Sequence, residues 1–69
     1  MRVSARNVLP ATVETVTPGA VDSEVVMEVA PGIEIVSIIT KASAERLHLQ
    51  PGAKAYAIIK APNVMIGVD

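Results

Sequence analysis

The sequence predicts a mainly β protein of five strands, with one short helix between the third and the fourth. Three observations carry that prediction. Turn signals recur at "TPG" (17–19), "APG" (30–32), "QPG" (50–52) and "APN" (61–63),. Runs of β-branched residues of strand length lie between them. Only residues 41–49 depart from this pattern, with a cluster of good helix formers. The order of elements suits a small OB-like barrel. It leaves no room for a linker, so residues 1–69 read as a single domain.

The elements follow in order. The stretch ahead of "TPG" is the first strand. In "VDSEVVMEV", Val21, Val25, Met27 and Val29 fall on one face, with Asp22, Glu24 and Glu28 on the other, the period of a half-buried strand,. "IEIVSIIT" groups Ile33, Ile35 and Ile39 on one face but also carries Val36 and Ile38 on the other. "AKAYAIIK" and "NVMIGV", the fourth and fifth strands, are likewise apolar on both faces. Strands greasy on both sides are covered on both sides, and in so short a chain the second layer is expected to be another subunit. Over 41–49, Ala42, Ala44, Glu45, Arg46 and Leu47 favour helix, Thr40 can cap its start, and "QPG" is expected to end it,.

Composition points the same way. The chain has 69 residues, no Cys, one His and one aromatic residue, Tyr56, yet 51% of it is hydrophobic. Mean hydropathy is +0.47. A domain of this size hides too little surface to shelter that much apolar sequence, and no disulfide or His/Cys metal site can compensate. Self-association is the expected solution. The net charge of −1 argues against a nucleic-acid partner, which calls for a basic surface,. No apolar run is long enough to cross a bilayer as a helix, so no membrane partner is expected. "MRVSARNV" lacks the apolar core of a signal peptide, and the cytoplasm is the expected compartment,.

Catalytic chemistry is poorly supplied, and an enzyme is not expected. His48 reads first as a surface or helix-terminal residue, Glu24 and Glu28 as a solvated strand face. No spacing suits a metal cation. Anion binding is better supplied. A helix start offers unpaired N–H groups, and Thr40 and Ser43 add hydroxyls there. Lys60 can add a full charge. "SARN" at 4–7 offers Ser4, backbone N–H groups and Arg6. A pocket rich in donors and poor in acceptors prefers a fully deprotonated tetrahedral oxyanion, such as molybdate, tungstate or sulfate. Hydrogen phosphate brings a proton that needs an acceptor. Each group also has a plainer role: Thr40 as helix cap, Ser43 bonded within the first turn, Lys60 as a solvated strand-end lysine.

"SARNVLPATVETVTPGAVDSEV", "ITKASAERLHLQPG" and "IIKAPNVMIGVD" together resemble the molbindins, the small molybdate-binding Mop proteins of the wider TOBE family. The likeness runs from about Val3 to Asp69, with three motifs in the right order. It implies a five-stranded OB-like barrel assembled as a hexamer, a trimer of dimers. It also implies molybdate, and usually tungstate, bound at subunit interfaces, with no other cofactor. The residues it implies are Ser4, the backbone at Ala5 and Arg6, Lys60 and the backbone at Ala61 from one side, and Thr40 and Ser43 from a neighbouring chain. A second class of site near a threefold axis would involve Ala20, Val21 and Ser23. The sequence departs from the family pattern at four places. "ATV" stands for "GTV", and "LHL" puts His48 where Gly is common. "DSEV" puts Asp22 where Asn is common, and three such carboxylates near a threefold axis would repel a dianion. Pro62 in "KAP" removes a hydroxyl and a backbone donor.

The expected function is molybdate storage and homeostasis by reversible binding. Two alternatives stand beside it: an oxyanion-sensing module acting through a partner protein, and a ligand-free oligomeric interaction barrel. With no DNA-binding helices and no nucleotide-binding loop, a stand-alone role is the expectation.

Overall fold

A computed structural model describes all residues, Met1–Asp69. Its elements are β1 (Asn7–Pro18), β2 (Asp22–Ala30), β3 (Ile33–Thr40), α1 (Lys41–Arg46) and β4 (Lys54–Ile59), followed by a short 3-10 turn at Ala61–Asn63. The strands form one antiparallel sheet in the order β3-β2-β1-β4. The first three are a meander. The fourth crosses back, by way of α1, to the far side of β1.

The turn residues act as their chemistry requires. "APG" and "QPG" each place proline ahead of a glycine in the left-handed region, Gly32 at φ 74° and Gly52 at φ 91°. That pairing suits a type II turn. In the second, the Ala53 N–H donates to the Gln50 carbonyl at 2.9 Å. Pro10 sits inside β1 but ahead of Thr12, where pairing with β2 begins. Its missing donor therefore costs no ladder bond on that side.

The register of β1 against β2 slips between Val13 and Thr15, leaving Glu14 as an extra, bulged residue. A bulge bends its strand and increases the local twist. Just ahead of it, at Val13, β1 bonds the turn that leads into β4 rather than β4 itself: the Val13 N–H donates to the Ala53 carbonyl at 2.9 Å and the Gly52 N–H to the Val13 carbonyl at 2.8 Å. The sheet thus curls around a small core of Ala11, Val13, Val25, Met27 and Ala57. Alternation holds in the middle of β2, with Ser23, Val25 and Met27 buried and Asp22 and Glu24 exposed, but Val21, expected on the buried face, precedes the strand and is exposed, and Val29 is half-buried. Val36 and Ile38, the apolar residues on the other face of β3, are exposed.

Two expectations need correction. The chain forms four strands, not five. "NVMIGV" is no strand of this sheet: Asn63 closes the 3-10 turn, and residues 64–69 carry no regular structure. Strand propensity is realised only against a partner, and neither edge of the chain's own sheet receives the segment. The helix also stops earlier than "QPG". His48 takes φ 54°, its N–H donates to the Glu45 carbonyl at 3.0 Å, and the Leu49 N–H donates to the Ala44 carbonyl at 3.1 Å. This pair of bonds is a Schellman cap, with His48 in the position that usually holds glycine.

Candidate functional site

Two of the sequence segments singled out above meet in space. β1 and β4 pair antiparallel with Asn7 opposite Ile59. The residues just before β1 and just after β4 are therefore carried to the same end of the sheet. Ser4, Ala5, Arg6, Lys60, Ala61 and Pro62 line one cavity of about 250 Å³ there. Asn7 joins the two sides, its side-chain amide donating to the Ile59 carbonyl at 3.2 Å. Sequence reasoning quoted Asn7 within "SARN" and gave it no role. An amide at the first paired residue of a strand was the available signal.

The cavity is built to supply donors. Arg6 and Lys60 bring two positive charges, Ser4 a hydroxyl, and no carboxylate lines it. The 3-10 turn that follows Lys60 uses the N–H groups of Asn63 and Val64, bonded to the carbonyls of Lys60 and Ala61 at 2.9 and 3.2 Å. Pro62 has no N–H to give. The Ala61 N–H is left outside the turn's own bonding. Such a lining attracts an anion and offers little to a ligand that must donate.

Thr40 and Ser43 lie elsewhere. Thr40 ends β3 and caps α1: its Oγ1 accepts from the Ser43 N–H at 3.1 Å and donates to Ser43 Oγ at 2.8 Å. The plainer reading of these hydroxyls, a helix cap, is therefore part of what they do. Neither lines the Ser4–Lys60 cavity. One chain does not bring all seven residues together.

Of the second set, Val21 is exposed, and its carbonyl accepts from the Lys41 N–H at 2.7 Å. Ala20 is exposed beside it. Ser23 is buried at 1% exposure, between Pro18 and Ile39 across the ladder. It lines a cavity of about 250 Å³ together with Lys41 and Glu45. Asp22 stands at the exposed end of β2, opposite Thr40.

Comparison with known proteins places the chain. The family model described as "TOBE domain" matches residues 3–66. The chain belongs to the TOBE family. Among curated relatives of this TOBE chain, "Molybdenum-pterin-binding protein MopA" of Rhodobacter capsulatus is 44% identical over 66 residues, 96% of this chain but 25% of that protein. The chain thus spans about a quarter of that relative. A solved molybdate-binding protein from Sporomusa ovata superposes with a TM-score of 0.90 at 38% identity, covering 99% of this chain and all of the other. The cytoplasmic molybdate-binding protein ModG, solved with molybdate bound, gives a TM-score of 0.93 at 49% identity over the whole of this chain and 49% of that one. The molbindin resemblance is borne out by these TOBE and Mop relatives.

Proposed function

We propose that this TOBE chain binds molybdate, and tungstate with it, for intracellular molybdenum storage and homeostasis. The observation that carries the reading is the meeting of "SARN" and "IKA" around one donor-lined cavity, in a chain whose whole length matches molybdate-binding proteins. Lys60 supplies charge, Ser4 a hydroxyl, and the backbone at Ala5, Arg6 and Ala61 further donors. A tetrahedral dianion without a proton satisfies all of these at once. The name of the Rhodobacter relative includes a pterin. A pterin calls for stacking and for acceptors, and the cavity has no aromatic residue. The bare oxyanion suits it better.

The cavity is half of a site. Thr40 and Ser43 complete it from a neighbouring copy, which places the ligand at an interface of a homo-oligomer, a hexamer built as a trimer of dimers. Ala20, Val21 and Ser23 make the weaker second site, disfavoured by the Asp22 carboxylate beside it. Binding is reversible, involves no covalent step and no further cofactor, and takes place in the cytoplasm. A second reading, sensing through a partner protein, is supported by the much longer MopA relative, in which the matching stretch is one part.

Titration calorimetry of the purified protein with molybdate, tungstate, sulfate and phosphate tests the proposal. Tight binding of the first two, with sulfate and phosphate weak, is the expected result. No heat with any of them, confirmed by equilibrium dialysis, would overturn it and leave an oligomeric interaction barrel.

A further inference from the structure

The side-chain hydrogen bonds that join distant parts of the chain both cross the β1–β4 pair. That pair runs from Asn7 opposite Ile59 to Thr12 opposite Lys54. One bond sits at each end of it. Lys54 Nζ donates to Thr12 Oγ1 at 3.0 Å, and Asn7 Nδ2 donates to the Ile59 carbonyl at 3.2 Å. The remaining side-chain bonds are local, between Thr40 and Ser43. The end held by Asn7 is the end that carries the donor-lined cavity.

Three features make that end hard to hold. The residues before Asn7 belong to no strand or helix, and the start of a chain keeps its place only where it is tied down. Lys60 likewise lies beyond the last residue of β4. Arg6 and Lys60 are both exposed and both positive, and they line one cavity that no carboxylate shares. Until an anion comes between them they repel, which pushes the two segments apart.

The Asn7 amide opposes this. It bonds the residue that follows Arg6 to the peptide unit that leads into Lys60. A peptide unit is planar, so holding the Ile59 carbonyl also sets the direction in which the chain reaches the Lys60 Cα. Asn7 is half-buried and does not line the cavity itself. It can act on a ligand only through the residues on either side of the bond. The acceptor is a carbonyl, so the side chain must donate; a carboxylate of the same size has no proton to give at neutral pH.

We infer that Asn7 is a positioning residue for the oxyanion cavity: its amide holds the Ser4–Arg6 and Lys60–Ala61 walls together before the anion arrives. Less ordering is then left for binding to accomplish, which raises affinity without any contact to the ligand. The inference rests on the oxyanion reading of this cavity.

The test is calorimetric titration of the full chain with molybdate, for the parent and three variants, with urea unfolding of each in parallel. Asn7→Ala is expected to weaken binding about three- to tenfold, the loss of one hydrogen bond's worth of preorganisation. Asn7→Asp keeps the size of the side chain but not its donor, and is expected to lose at least as much. Thr12→Val removes the bond at the opposite end of the same strand pair. It is expected to cost stability, as Asn7→Ala does, and to bind molybdate as the parent does. A purely structural role for Asn7 would make the two ends equivalent, so equal losses of affinity in Asn7→Ala and Thr12→Val would overturn the inference. Parent affinity in Asn7→Ala or in Asn7→Asp would overturn it as well, while leaving the oxyanion reading intact. A parent that binds no molybdate would instead bring down that reading, and this inference with it.

Discussion

At the scale of single residues, the bulge at Glu14 gathers three carboxylates. Glu28 and Glu34 are directly opposite each other on β2 and β3, and Glu14 leans on both. A hydrogen bond with Glu34, partial desolvation, and the charges of Glu34 and Glu28 push the Glu14 carboxyl from its ordinary 4.5 up to about 7. The folded protein therefore holds a proton that the unfolded chain gives up between those two values, and stability falls as pH rises through that window. Glu14→Gln is expected to flatten stability against pH between about 4.5 and 7 and to raise it above pH 7, measured by urea unfolding across the range. His48 is the second such residue. Its left-handed backbone costs a side chain what glycine does not pay, so His48→Gly is expected to stabilise the fold by about 1 kcal/mol in the same assay. Lys60 is the third. Lys60→Ala removes a charged hydrogen-bond donor from the proposed oxyanion pocket, roughly 1.5–3 kcal/mol, so molybdate affinity is expected to drop about 10- to 100-fold by calorimetry. An unchanged affinity would move the site away from Lys60.

At the scale of elements, the sheet depends on very few buried side chains. Val13 and Val25 are each 1% exposed, on facing sides of the β1–β2 pair. Val25→Ala removes two methyl groups from a core with little else to fill the space, and is expected to destabilise by about 2 kcal/mol in thermal or urea unfolding. The β1–β4 pair does more than build the sheet. Its register, Asn7 opposite Ile59, carries Arg6 and Lys60 to the same cavity. A slip of one residue would turn every side chain of β4 to the other face and separate the two halves of the pocket. The helix has a similar double duty. Thr40 both ends β3 and caps α1, which fixes the place of Ser43. Within one chain Thr40 accepts the Ser43 N–H and gives its own proton to Ser43 Oγ, so the Ser43 hydroxyl proton is the one left for a ligand.

At the scale of the whole molecule, one chain is incomplete. Seven of 69 residues are buried, and the exposed area is 5472 Å². A compact monomer of 7.2 kDa exposes about 4,100 Å²,. The excess is of the order of what one partner contributes to a standard interface or somewhat more. If copies supply that cover, unfolding is coupled to dissociation, and the melting midpoint is expected to rise with protein concentration. A midpoint constant from micromolar to millimolar protein would contradict self-association. No helix of the chain is long and apolar enough to cross a membrane, so the exposed apolar surface is not that of a spanning helix.

Most of the fold was legible in the sequence, because turns and alternation are local. "APG" and "QPG" need a glycine at a left-handed position, and a buried face every second residue marks β2; neither depends on distant contacts. The three motifs likewise determined the family, since their order and spacing survive in one dimension. The helix end at His48 was misread because a Schellman cap made by histidine carries no glycine signal. The fifth strand was misread for a deeper reason. "NVMIGV" has the composition of a strand, but a strand is a relation between two segments, and only the tertiary structure shows that no edge of its own chain receives it. The same limit applies to the site. The sequence by itself determined which donors exist. Only the tertiary structure decided that Ser4 to Arg6 and Lys60 to Pro62 share a cavity, and that Thr40 and Ser43 do not. Pairing register joins residues far apart in the chain through hydrogen bonds that no local pattern encodes.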